Sequence, residues 1–80
     1  MMFTKTEQRI IDVLADGEFH RASELLAAID AYAEMRNLHA HLANIRHKLN
    51  NRGQGLISDR IDTVLVYRHV HLVPVRNSSD

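Results

Sequence analysis

The chain contains no cysteine, which excludes a disulfide framework, a thiolate zinc site and a cysteine nucleophile, and fits a reducing compartment. Its longest uninterrupted apolar run is five residues, Leu25 to Ile29, against the roughly 20 that span a bilayer. The N-terminus lacks the apolar segment of a signal peptide, so a soluble, cytoplasmic protein without a membrane partner is expected. Proline occurs once and glycine three times, and neither interrupts residues 31–52, which leaves that stretch open to one long helix. Acidic side chains are also missing from Met35 to Gly55, although one residue in eight of the chain is acidic.

What is present fits one globular domain. Eighty residues leave room for a single core, and 45% hydrophobic with 25% charged residues is ordinary for a folded soluble domain. The expected domain is 1–76, followed by a frayed polar tail over 77–80. The formal net charge of zero conceals a split: residues 1–35 carry three basic and seven acidic side chains, residues 36–80 seven basic and three acidic. Five of the six histidines also fall in the basic half. One face able to meet phosphates on a neutral molecule is the functional form such a split takes.

Thr4-Lys5-Thr6-Glu7 has the form of a capping box, with Phe3 placed to staple the entry, and predicts a first helix from about 5 to 16 ended by Gly17. After an extended Glu18-Phe19-His20, the spacing of Ala22, Leu25, Leu26 and Ile29 predicts a second helix over 22–30. Met35, Leu38, Leu42, Ile45 and Leu49 form one apolar stripe and predict the longest helix, from about 34 to 50. Gly53 and Gly55 end it, and β-branched residues then predict strands over 56–61 and 64–73 joined near Asp62-Thr63, the second closed by Pro74. Val64, Val66, Val70 and Leu72 share one parity of the last strand, with Arg68 interrupting it. The fold class expected is mainly α with a C-terminal β-hairpin: three helices plus a wing, the order of a winged helix-turn-helix.

Opposite its stripe, the third helix shows Arg36, Asn37, Ala40, Ala43, Asn44, His47, Lys48 and Asn51. Arginine and lysine suit phosphates, asparagine amides pair with adenine, and alanines let the backbone approach bases. A solvated helix face ordinarily mixes both charge signs, so the missing carboxylates point to a polyanion. Asn44 lies mid-face as the candidate base reader, with Arg46 and Lys48 flanking it toward phosphates.

Specific residues carry a resemblance as well. Leu38-His39-Ala40-His41-Leu42-Ala43-Asn44-Ile45-Arg46-His47-Lys48-Leu49 resembles the recognition helix V-D-V-H-I-R-R-L-R-K-K-L of the OmpR/PhoB-type winged-helix domain. Phe3-Thr4-Lys5-Thr6-Glu7 resembles the family's L-T-x-x-E start, Glu24-Leu25-Leu26 its E-L-L, and Tyr67-Arg68 the Y-R of its last strand. The resemblance extends over most of residues 3–72 and implies that Arg36, His41 and Arg46 touch DNA backbone or base edges. With neither the family's N-terminal sheet nor its receiver domain, the chain is expected to act as a compact stand-alone transcriptional regulator of the kind found in phages or mobile elements. Double-stranded DNA is the expected partner, met as a dimer or on tandem sites because one small module buries only about 600–1,000 Å². At the hairpin end, Arg60 is assigned to the DNA backbone, with Asp59 and Asp62 beside it repelling phosphate.

Other chemistry finds less support. His39 and His41 point about 200° apart on a helix and cannot share an ion, while His69 and His71 share a strand face but lack an identifiable third ligand. No metal and no cofactor is expected. The last two histidines are assigned to the solvent face of their strand, His20 to a turn, and His39 to the core boundary. Ser23, Ser58, Ser78 and Ser79 have no triad setting, no phosphate loop occurs, and most carboxylates are assigned to the outer faces of the first two helices, so catalysis is not expected. The alternative to DNA binding is a protein-interaction module that docks on polymerase or another regulator.

Overall fold

A computed structural model describes residues 2–29 and 34–71. The expected strand end at 72–73, Pro74, the tail and the segment 30–33 lie outside the described residues. The order of elements is α1 (Lys5–Leu14), β1 (His20–Arg21), α2 (Ala22–Ile29), α3 (Met35–Asn50), β2 (Gln54–Ile61) and β3 (Val64–His71). Three helices and a C-terminal hairpin are therefore present, in a small mixed α/β domain. No helix among the described residues is long and apolar enough to cross a membrane.

Local chemistry explains where the elements begin and end. Thr4 accepts from the Glu7 amide at 3.1 Å and Glu7 returns the bond to the Thr4 amide at 2.9 Å, so two free donors of the first turn are satisfied. Beyond α1, Gly17 takes φ +76°, a conformation glycine adopts without steric cost. β2 and β3 are joined by two residues only, Asp62 and Thr63, both with positive φ (51° and 67°), the backbone hand that matches strand twist in a two-residue hairpin.

The core follows from the stripe on α3. Leu38, Leu42, Ile45 and Leu49 are buried, and they meet Ile10 and Leu14 of α1 and Leu25 of α2. Each such side chain contributes roughly 1.5–3 kcal/mol by leaving water. Leu26 and Ile29, on the apolar face expected of the second helix, are only partly buried at the core's margin, and Met35 at the start of the stripe is exposed. Leu56 and Tyr67 close the core from the hairpin side.

The sheet differs from a bare hairpin. His20 and Arg21 pair antiparallel with Tyr67 and Val66, giving a three-stranded sheet in the order β1-β3-β2 with β3 central. The expected parity of β3 is also reversed. Tyr67 belongs to the core and Leu65 packs against it, so the Leu65–Tyr67 parity faces the helices. Cross-strand partners share a face, and Leu56↔His69, Ser58↔Tyr67 and Arg60↔Leu65 therefore lie on that side. Val64 and Val66 turn to the far face, where Phe19, Arg21 and Ile61 gather around them. β3 is apolar on both parities because both of its faces are at least partly covered.

Candidate nucleic-acid interface

α3 is held between two supports, and these decide which of its polar residues face outward. On one side stands α1. Lys48 Nζ lies 2.5 Å from Glu7 Oε1 and 3.0 Å from the Met2 carbonyl, with the Glu7 side chain 3% exposed. Lys48 thus departs from its expected place beside phosphates: its ammonium is turned inward to neutralise a buried carboxylate. Glu7 likewise departs from the expectation that carboxylates sit on outer helix faces. Burial pushes the Glu7 carboxyl up, but the Lys48 ammonium, the Thr4 amide and the charge of His41 together hold it below its usual range. His41, half-buried on the same side, contributes to this electrostatic setting.

On the other side stands the hairpin. Arg46 Nε donates to the Leu56 carbonyl at 3.1 Å, tying α3 to β2. A cleft of about 280 Å³ opens between them, lined by His39, Ala43 and Arg46 of α3 and by Ser58 and Tyr67 of the sheet. His39 is exposed at this cleft rather than packed beside the core. β2 runs back along α3, since Leu56 meets Arg46 while Ser58 shares the cleft with His39. Arg60, on the same face of the hairpin, lies exposed beyond it, its Nη1 3.5 Å from the Thr63 carbonyl.

Between the two supports the outward face of α3 is open. Asn37, Ala40, Ala43, Asn44 and His47 are exposed. Arg36 is exposed too, but its Nε lies 2.9 Å from Glu34 Oε2, so a carboxylate just before the helix meets the cation at its first turn. The N-cap Glu34 makes no capping bond with its side chain. Inside α3 itself, from Met35 to Asn50, no acidic residue occurs. Of the nine residues assigned to DNA, the fold leaves Arg36, Asn37, Ala40, Asn44 and His47 on one open face, puts Arg46 and Arg60 along the hairpin side, half-buries His41 and sequesters Lys48.

No family model, curated protein or solved structure matches this chain.

The histidines are placed by packing. His69, expected on the solvent face, is half-buried on the helix side, with Nε2 2.7 Å from Gln54 Oε1. Burial, then the nearby His71, hold it below its ordinary value; the two rings are 5.3 Å apart. His20 stands in β1, its Nδ1 2.9 Å from Glu24 and its Nε2 2.9 Å from Asp16. With both ring nitrogens facing carboxylates, the imidazolium is favoured: Glu24 and then Asp16 raise it above the ordinary value against a smaller opposing effect of burial. Among the described residues no cluster of three metal-ligating side chains occurs. The sequence did not mark Ser58 and Tyr67 as cleft residues, because only the hairpin register brings them opposite α3.

Proposed function

We propose that this domain is a winged helix-turn-helix DNA-binding module, in which α3 enters the major groove of double-stranded DNA and the β2–β3 hairpin is the wing. The observation that carries this reading is the open face of α3, where amides, Arg36 and His47 stand among alanines, no acidic residue occurs within the helix and the hairpin runs alongside. Asn37 and Asn44 are the candidate base readers. Arg36, Arg46 and Arg60 are the candidate phosphate contacts, with His47 adding charge when protonated, and Lys48 is committed to the fold instead. A regulator of transcription that acts as a dimer or on tandem sites is the biological form this reading takes.

The deciding experiment is fluorescence anisotropy of labelled duplex DNA titrated with the protein at several salt concentrations. Two to three displaced phosphate counterions give a slope of log K against log salt of about −2 to −3. Absence of salt-dependent binding overturns the reading. A second reading, docking onto polymerase or another regulator, has its own observation. Ile57, Ile61 and Val64 are 42%, 48% and 39% exposed on the sheet face turned away from the helices, where Ile61 pairs with Val64, and exposed apolar groups of this kind are what protein partners cover.

A further inference from the structure

The cleft between α3 and the hairpin is more than a gap beside a recognition helix. Its floor is apolar, formed by Leu42 and Leu65, while its polar groups are His39, Arg46, Ser58 and Tyr67. Tyr67 is only 6% exposed, and its hydroxyl has no hydrogen-bond partner among the described residues. None of the described residues therefore competes for that hydroxyl where the Tyr67 side chain lines the cleft. The only hydrogen bond of Arg46 among the described residues is the one from Nε to the Leu56 carbonyl. That bond fixes the guanidinium plane and leaves its terminal donors unspent, and a donor held in advance loses little freedom on meeting an anion.

An apolar floor, a guanidinium tethered through Nε and a tyrosine hydroxyl with no partner among the described residues are the elements of a site for an amphipathic anion. We propose that this cleft binds a small organic acid with an apolar body, a single aromatic or branched carboxylate. Its carboxylate meets Arg46, with His39 and the Ser58 hydroxyl beside it; the body lies on Leu42 and Leu65 and a polar atom takes the Tyr67 hydroxyl. The volume of about 280 Å³ lies just below the usual range for small-molecule sites and admits one ring. The organic acid and a duplex phosphate compete for Arg46, and only the organic acid also uses the apolar floor. A ligand here stands between helix and wing and hinders the approach of a duplex. That consequence rests on the DNA-binding reading; the binding itself does not.

The test is a nitrogen-15 NMR titration of the full chain with benzoate, with benzyl alcohol and acetate as controls that each lack one half of the chemistry. Benzoate is expected to shift the amides of Ala43, Arg46 and Ser58 saturably with a Kd near or below about 1 mM, and neither control to saturate at ten times that level. Tyr67→Phe keeps the ring in the core, and Arg46→Gln keeps a polar stem; each is expected to weaken benzoate about fivefold or more while the spectrum stays that of the folded protein. Shifts scattered over the surface, no saturation, or unchanged affinity in Tyr67→Phe overturn the proposal. Anisotropy without benzoate tests DNA binding separately. Saturable benzoate binding without DNA binding upholds the cleft and removes the duplex reading, and the reverse outcome removes the cleft alone.

Discussion

Glu7 and Lys48 are 41 residues apart in sequence and 2.5 Å apart in the fold, with side chains 3% and 15% exposed. One carboxylate therefore both closes the capping box of α1 and anchors α3. Breaking a buried pair strands its partner's charge, whereas replacing both ends with neutral groups does not. Glu7→Gln and Lys48→Met are each expected to cost about 3–5 kcal/mol, and the double variant clearly less than their sum, in urea denaturation. Additive costs would show the pair to be uncoupled. The depressed Glu7 carboxyl sets the sign with pH: its contribution is full above the unfolded value of about 4.5 and is lost as pH falls through the lower folded value.

His20 carries the opposite sign. Because Glu24 and Asp16 raise its value in the folded state, its contribution is full below about pH 6.5 and is lost as pH rises through the folded value. His69, held low, weighs on stability only below about pH 6.5 and is neutral in both states above it. The melting temperature is therefore expected to fall as pH rises above about 6.5 through the raised His20 value, and His20→Gln to flatten that fall. An equal slope in the variant assigns the pH dependence elsewhere.

The hairpin turn is a place where the native sequence is poorer than its geometry allows. Thr63 is β-branched yet holds φ 67°, a conformation costly to such a side chain. Thr63→Gly is expected to raise stability by about 0.5–1 kcal/mol, since relief of strain exceeds the added freedom of the unfolded chain. A lower denaturation midpoint contradicts the left-handed turn.

On α3, base reading and backbone holding separate by residue. Asn44→Ala is expected to cost about 1–3 kcal/mol on a preferred duplex and little on random sequence. Arg46→Ala weakens both alike and reduces the salt slope by about one unit. Lys48→Met, compared under conditions where it remains folded, leaves that slope unchanged because its charge is spent on Glu7. A slope reduced in Lys48→Met returns Lys48 to the phosphates, and Asn44→Ala and Arg46→Ala variants that both bind as the parent does remove α3 from the interface.

The sequence by itself determined the three helices, the hairpin and most of the core. The Thr4–Glu7 box, the Gly17 stop, the α3 stripe and the two-residue turn at Asp62-Thr63 are short-range patterns, in which backbone geometry and neighbouring side chains decide the outcome within a few residues. The tertiary structure alone decided what crosses between elements. A lysine on a helical wheel shows its angle but not its partner, so Lys48 reads as an outward cation until α1 brings Glu7 against it. β3 is apolar at Val64 and Val66 and again at Leu65 and Tyr67, so alternation could not tell which face meets the helices; β1 and Phe19 had to cover one side first. The cleft of His39, Arg46, Ser58 and Tyr67 joins residues far apart in the chain through a hairpin register, and register is set by which face the whole core buries.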